Sequence, residues 1–284
     1  MAAVGRGEVR RAAVAGAFYP LSADALDRES EALLPARSDS VRAKGLVVPH
    51  AAIMYSGRVA GEVYSRIQPP DTVVLIGPDH YLAGGGVSFM VRGRWEIPGG
   101  EAWVDEGLAE RVLEELRPID GKLDVVEGAR AHEREHCLEV QLPFLLRIRA
   151  GKGEPLKILP VLMQDYRPAV CRALGLAMAS ALADRKDSWA LVATTDLNHE
   201  EPHETALRKD HAAIDAILRL DPEGLLEAVR REDVRMCGHG PVAAVLTACR
   251  RLGAQRAEVV RHMTSGEVTG DFSSVVGYAG MLIR

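Results

Sequence analysis

"TVVLIGPDH", residues 72–80, is an apolar run of strand length that ends in two polar residues, Asp79 and His80. A short and continuous apolar run is typical of a strand that is buried on both faces, as in a parallel sheet. The stretch therefore predicts a buried strand whose carboxyl end carries polar side chains.

Two other apolar runs end in the same way. GLVVPH, residues 45–50, ends at His50, and WALVATTDLNH, residues 189–199, ends with Asp196 and His199. In an open α/β sheet the carboxyl ends of neighbouring strands form the crevice that binds ligands. We therefore expect the three endings to converge on one site.

Each of these residues also has a simpler interpretation when it is taken alone. A single histidine at a strand end is more often a partly buried side chain with a satisfied hydrogen bond than a ligand. Asp79 and Asp196 could equally be loop residues that accept hydrogen bonds from nearby backbone amides. The common position at strand ends is what favours a functional site.

Segments with helical spacing lie between the apolar runs, and this alternation indicates an α/β fold. The predicted strands are 46–48, 72–76, 156–162 and 189–193, with later strands at 256–262 and 274–283. The predicted helices are 23–34, 58–67, 102–116, 138–148, 169–182, 204–218, 222–230 and 241–252. Because no internal repeat or linker interrupts the pattern, we expect a single domain over 1–284, with a central mixed β-sheet flanked by helices.

The composition limits the classes of partner. The chain has 284 residues and a formal net charge of −5, which provides no general basic field for nucleic acid. No apolar run is long enough to cross a membrane, so we expect a soluble, cytoplasmic protein. The four cysteines are far apart, which argues against a zinc ribbon, and that compartment argues against disulfides. The apolar surface of the C-terminal third would permit a homodimer.

Cys237 opens the stretch CGHGPV, residues 237–242, where Gly240 fits a helix cap and Pro241 the first helical turn. The positive end of a helix dipole lowers the pKa of a nearby thiol, so Cys237 is a candidate metal ligand or nucleophile. Cys171 and Cys249 lie within helical patterns and are expected to be small buried hydrophobes.

The stretch AHEREHCLEVQLPFLLRI begins at residue 131 and is predicted to open an amphipathic helix with polar residues. On such a helix His132 and His136 share one face, as do Glu135 and Glu139. The letters at 132–136 also fit H-E-x-x-H, the zinc-protease pattern, but no third ligand is evident. A zinc hydrolase is therefore kept as an alternative.

Taken together, these motifs resemble the Memo family, which is protein B of the AmmeMemoRadiSam system. The matching stretches, in chain order, are AVAGAFYP (13–20), VPHAAIMYSG (48–57), LIGPDHY (75–81), EHCLEVQLPF (135–144), LPVLM (159–163), TTDLNH (194–199), CGHGPV (237–242) and TSGEVTGDFSSVVGYAG (264–280). They extend over almost the whole chain, which makes chance agreement improbable.

The resemblance implies a fold similar to that of class III extradiol dioxygenases, which are non-haem iron enzymes. By the same resemblance His50 and His80 take the two histidine ligand positions, and Cys237 stands where those dioxygenases have a glutamate. His199 takes the acid/base position, with Asp196 beside it. The implied metal is divalent, and Fe(II) is expected. Because a thiolate is a softer ligand than a carboxylate, Cu and Zn are alternatives.

Three functions remain open at this point. The first is a metal-dependent enzyme, dioxygenase-like in architecture, that acts on a small-molecule or peptide substrate with the companions that the system implies, an AMMECR-type domain protein and a radical SAM protein. The second is a non-catalytic module that binds a peptide or an anion in the same cleft. The third is a hydrolase that uses zinc or Cys237. Ala52 and Ile53 replace a glycine and an aromatic residue that are common in the family, which predicts a more aliphatic pocket wall.

Overall fold

The computed structural model describes residues 8–36, 39–117 and 123–284, so the predicted domain, 1–284, extends beyond the described ranges. Strands from both ends of the chain belong to one twelve-stranded sheet. The strands are β1 (Val9–Arg11), β2 (Gly45–Val48), β3 (Thr72–Pro78), β4 (Val87–Phe89), β5 (Arg94–Ile97), β6 (Gly100–Val104), β7 (Val125–Glu127), β8 (Leu156–Met163), β9 (Trp189–Thr194), β10 (His199–Glu201), β11 (Ala257–Thr264) and β12 (Val275–Ile283).

Helices cover both faces of this sheet. They are α1 (Ala23–Leu33), α2 (Ile53–Tyr64), α3 (Glu106–Leu116), α4 (Leu142–Ile148), α5 (Pro168–Ala183), α6 (His203–Leu218), α7 (Pro222–Arg231), α8 (His239–Arg251) and the short α9 (Gly266–Thr269). Of the helices within the described ranges, none has the length and hydrophobicity needed to cross a lipid bilayer.

The centre of the sheet is parallel, and its margins contain both antiparallel and parallel pairs. The main path runs β1-β5-β6-β8-β3-β9-β2-β12-β10, and the five strands from β6 to β2 are parallel to one another. β12 is antiparallel to β2, β10 and β11, and β5 is antiparallel to β6. The predicted α/β fold with a mixed sheet flanked by helices is confirmed.

Alternate residues of β3 pack into different layers, because side chains along a strand point to opposite faces. Val74 and Ile76 join the core beneath α3, α5, α6, α7 and α8, whereas Val73 and Leu75 join the core beneath α1, α2 and α4. Every residue of β3 is buried. The stretch TVVLIGPDH therefore lies between both layers, and its polar ending emerges at the edge of the sheet.

Two predicted helices have different beginnings in the structure. The predicted helix 102–116 starts as β6, whose residues pair with β5 and β8, and α3 begins only after Asp105. The Asp105 side chain accepts a hydrogen bond from the Leu108 amide at 2.9 Å and so caps α3. The predicted helix 58–67 begins earlier, at Ile53, and ends at Tyr64.

The segment predicted as helix 138–148 also differs. A 3-10 turn, Glu139–Gln141, precedes α4, and residues 131–136 are not helical. Glu139 is fully buried and its carboxylate faces the N-terminal segment. It accepts hydrogen bonds from the backbone amides of Ala13 at 2.9 Å and Val14 at 3.1 Å, and from the Tyr19 hydroxyl.

Arg10 completes this buried network. Its guanidinium pairs with Glu139, donates to the carbonyl of His132 at 3.0 Å, and lies 4.3 Å from the ring centroid of Trp95. A buried ion pair is costly to break by removing one partner, because the other charge is left without compensation. Glu139 therefore fixes the N-terminal segment against the middle of the chain.

We predict that Glu139→Gln lowers the free energy of unfolding by about 3–5 kcal/mol, because it leaves the Arg10 guanidinium buried without a counterion. Urea denaturation followed by circular dichroism measures this. Glu227→Gln is the control, since Glu227 forms an exposed ion pair with Arg230 and its loss should cost less than about 1 kcal/mol. Equal losses in the two variants would contradict the prediction.

Candidate metal centre

Three polar residues meet at the carboxyl edge of the parallel strands. His50 follows β2 by two residues, His80 follows β3 by two residues, and Cys237 lies in the turn between α7 and α8. Each side chain offers one ligand atom, and these atoms all lie within 4.8 Å of one another. The structure thus brings together the three residues that the family resemblance places at the ligand positions.

His50 is almost completely buried, with 2% of its surface exposed. Its Nδ1 atom lies 2.9 Å from the hydroxyl of Thr194 at the end of β9, and its Nε2 atom lies 3.2 Å from the sulfur of Cys237. Burial, followed by the nearby imidazoles of His80 and His136, lowers the pKa of His50 well below its usual value. The imidazole is therefore neutral at physiological pH, which is the form that binds metals.

The Cys237 sulfur is held by the turn after β9. It accepts a hydrogen bond from the backbone amide of Asp196 at 3.3 Å. Gly238 permits this approach, since a Cβ atom there would lie 2.5 Å from the carbonyl oxygen of Thr194. The hydroxyl of Thr195 caps the turn, because it accepts a hydrogen bond from the Gly238 amide at 2.9 Å.

The expectation of a lowered thiol pKa at Cys237 is wrong. Although the residue as a whole is only partly buried, removal of the thiol from water raises its pKa to about 12, and the neighbouring Asp196 adds to this. The helix also starts earlier than predicted, because α8 begins at His239 with Gly238 as its cap and Pro241 falls within its first turn. Without a bound cation the thiol is neutral, and binding of a metal would release its proton.

His80 is the most accessible of the three candidate ligands, with 32% of its side chain exposed. Its Nδ1 atom lies 3.0 Å from the Glu135 carboxylate, which also accepts the backbone amides of His80 at 2.7 Å, His136 at 2.8 Å and Cys137 at 3.0 Å. Burial opposes ionisation of Glu135, but the hydrogen bonds from His136 and His80 outweigh it and hold the pKa of the carboxyl below its usual range.

His136 is a site residue whose place the sequence analysis did not identify. Its ring centroid lies 4.8 Å from that of His80, 5.5 Å from that of His50 and 4.7 Å from that of Phe18. The stretch EHCLEVQLPF contains His136, but the prediction of a helix placed His136 on the same face as His132.

The two histidines of that stretch lie in different surroundings. His132 is fully buried, and its ring lies 5.9 Å from that of Trp95 rather than in the cleft. Because residues 131–136 do not form a helix, His132 and His136 do not share a helical face, and the H-E-x-x-H interpretation is wrong. Glu135 and Glu139 likewise serve different networks instead of one face.

Asp196 and His199 were predicted to form a pair for proton transfer, but their contacts differ from that picture. The Asp196 carboxylate accepts the backbone amides of His50 at 2.9 Å and Ala51 at 3.3 Å, and burial raises its pKa. The Nδ1 atom of His199 lies 2.8 Å from the carbonyl oxygens of both Leu197 and Arg235. Asp196 thus anchors the turn of His50, and backbone carbonyls hold His199.

Asp79 and Ile53, which were also predicted to lie near the site, make contacts that hold a loop and the core. The Asp79 carboxylate accepts the amides of Tyr81 at 3.1 Å and Gly84 at 2.9 Å, as the loop interpretation proposed. Ile53 is buried, and its amide donates to the carbonyl of Phe18 at 2.9 Å. Its side chain belongs to the core rather than to an open pocket wall.

The donor set suits a metal ion. His50 and His80 each have Nδ1 engaged by an oxygen, which leaves Nε2 available, and such outer hydrogen bonds are usual for histidines that bind metals. Two donors bound to one ion at about 2.0–2.3 Å lie roughly 3.3–3.8 Å apart, close to the 3.2 Å between His50 Nε2 and Cys237 Sγ. The geometry and the chemistry of these donors therefore fit a bound metal.

Comparison with known proteins agrees with the resemblance in the sequence. A family model described as "Memo-like protein" matches residues 10–282. A MEMO1 family protein of Methanothermobacter thermautotrophicus is 39% identical over 283 residues, covering 95% of this chain and 99% of the relative. Another, from Methanosarcina acetivorans, is 38% identical over 280 residues, covering 98% of this chain and 100% of the relative.

A solved structure has a similar fold. The crystal structure of the uncharacterized protein JW3007 from Escherichia coli K12 matches 85% of this chain and 100% of its own, with a TM-score of 0.57 and 15% sequence identity. At this level of identity the likeness concerns the fold alone.

The buried His132 predicts a pH dependence of stability. Burial, followed by the positive charge of Arg10, lowers its pKa to about 3, whereas in the unfolded chain it binds a proton near pH 6.5. The unfolded state therefore binds more protons than the folded state between these pH values. The free energy of unfolding thus has its full value above about pH 6.5, as far as His132 is concerned, and decreases as the pH falls towards 3.

We predict that His132→Leu reduces the slope of unfolding free energy against pH by about 1.4 kcal/mol per pH unit between about pH 5.5 and 4. Urea titrations at several pH values measure the slope. His211→Leu, which removes an exposed histidine of α6, should leave the slope unchanged. Parallel curves for the parent and His132→Leu would contradict the prediction.

Proposed function

The chain belongs to the Memo-like protein family, and we propose that it is a metal-dependent enzyme whose metal is held by His50, His80 and Cys237. The observation that carries this proposal is the convergence of their three donor atoms within 4.8 Å. Thr194 and Glu135 engage the Nδ1 atoms of the two histidines, so both rings are oriented before any ion binds.

The donor types favour a soft or borderline divalent ion. Imidazole suits iron, zinc and copper, and a thiolate increases affinity for the softer members of this group. We propose Fe(II) as the native metal because of the resemblance to non-haem iron enzymes, with Zn and Cu as alternatives. A metal bound there would supply Lewis-acid polarisation of a substrate oxygen, and iron would add redox chemistry.

His199 is proposed to transfer a proton during the reaction. Its Nδ1 atom faces two carbonyl oxygens, which can only accept, so Nδ1 carries the proton and Nε2 has a free lone pair. A neutral imidazole in this position is suited to act as a general base.

The other side chains have supporting tasks. Asp196 fixes the amides of His50 and Ala51 and so determines where the His50 ring stands. The amide of Gln141 donates to the Pro49 carbonyl at 3.0 Å and to the Thr194 hydroxyl at 3.1 Å, which holds the ends of β2 and β9 together. These contacts keep the donors in place.

A hydrolase that uses Cys237 as its nucleophile is less well supported. A thiolate is the reactive form, and burial raises the pKa of this thiol to about 12. For substrate and partners we retain what the family resemblance implies. We propose that the protein acts on a small-molecule or peptide substrate together with an AMMECR-type domain protein and a radical SAM protein.

We predict that protein purified without oxygen or chelator takes up Fe(II), and that His50→Ala and Cys237→Ala each reduce the bound metal to a small fraction of that in the parent. His199→Ala should keep its metal, because this residue is proposed to move protons rather than to bind the ion. Elemental analysis by mass spectrometry measures the content, and Fe(II), Zn(II) and Cu(I) are added separately.

Cys249→Ala is the matched control, since Cys249 is a fully buried cysteine of α8 next to Gly45 and should leave the metal content unchanged. If the parent binds none of the three ions, the proposal fails. If the His199 variant loses as much metal as the His50 variant, the assigned roles are wrong.

A further inference from the structure

Glu135 is a fully buried carboxylate that is surrounded by nitrogen atoms. Four of them belong to the two histidines beside the cleft: the backbone amide and Nδ1 of His80, at 2.7 and 3.0 Å, and the backbone amide and Nδ1 of His136, at 2.8 and 3.1 Å. The fifth is the backbone amide of Cys137, at 3.0 Å.

An ionised carboxylate can only accept hydrogen bonds, so each of its partners must donate. The imidazoles of His80 and His136 therefore carry their protons on Nδ1. In a neutral imidazole with its proton on Nδ1, the Nε2 atom carries a free lone pair on the side of the ring away from Glu135. One buried carboxylate thus selects the tautomer of two neighbouring rings at once.

The group His80, Glu135 and His136 could also be considered as a second metal site, because its ligand atoms lie close together. The contacts argue against this. A carboxylate has about four lone-pair positions, and five nitrogen atoms already approach Glu135. Four of these nitrogen atoms approach Oε1, and Oε2 accepts the backbone amide of His80. An ion bound through Oε1 would have to displace these donors, so we assign Glu135 to the histidines.

We propose that Glu135 is a positioning residue that fixes His80 and His136 in the Nδ1–H tautomer and so presents the Nε2 atom of His80 to the metal. The part of this inference that concerns the ion rests on the proposed function. Carboxylates that hold ligand histidines in this way typically change metal affinity by about 10- to 100-fold when they are replaced.

The first test compares metal affinities, with Zn(II) as the probe in competition with a chromophoric chelator. Glu135→Gln should bind Zn(II) about 10- to 100-fold more weakly than the parent, because glutamine has a single acceptor oxygen and turns an amide donor towards other donors. Asp105→Asn is the control: it alters a largely buried carboxylate that caps α3 and pairs with Arg185, and that contacts neither ring. Its affinity should stay within threefold of the parent, at a temperature where circular dichroism shows that both variants are folded.

The second test needs no variant of Glu135. In metal-free parent protein labelled with ¹⁵N-histidine, nitrogen shifts and two-bond couplings should report Nδ1–H for His80 and His136, with His80→Gln used to assign the signal. An Nε2–H tautomer at His80, or unchanged Zn(II) affinity in folded Glu135→Gln, overturns the inference. If the parent binds no metal while both rings show Nδ1–H, the tautomer assignment stands and the proposed function fails.

Discussion

The parallel pairing of β2, β9 and β3 is the constraint on which the site depends. Val48 pairs with Thr194, and Ile76 pairs with Ala193, so the three strands end at nearly the same level. The chain then needs only two residues beyond β2 and β3 to reach the candidate ligands. Because side chains alternate along a strand, a slip of one residue in this register would turn every buried side chain to the opposite face and separate the endings.

Two buried carboxylates connect this edge of the sheet to the rest of the chain. Glu135 binds the two histidine segments, and Glu139, one short turn later, binds Arg10 and the N-terminal segment. Phe18, which that segment carries, packs against the ring of His136. The N-terminal segment therefore packs against the candidate site, and its attachment depends on a charge pair that is not in contact with the candidate ligands.

The sequence predicted the parallel core and the residues that meet at its edge, because apolar runs and their polar endings are local patterns. It did not predict what burial does to those residues. The Cys237 thiol stands before a helix, as expected, but burial raises its pKa. The helical spacing of residues 131–136 was misleading, because the hydrogen bonds of Glu135 and the packing of His132 against Trp95 are contacts between distant segments. The hydrogen bonds that Asp196 accepts from the amides of His50 and Ala51 also join segments that are far apart in the chain.

The two histidines of the candidate site differ in their exposure to solvent. His50 is buried at its base, whereas about a third of the His80 side chain, 32%, is open to solvent. If an ion is held between them as proposed, it would be open to water on the His80 side. Loading and loss of the ion would then take place through the same opening.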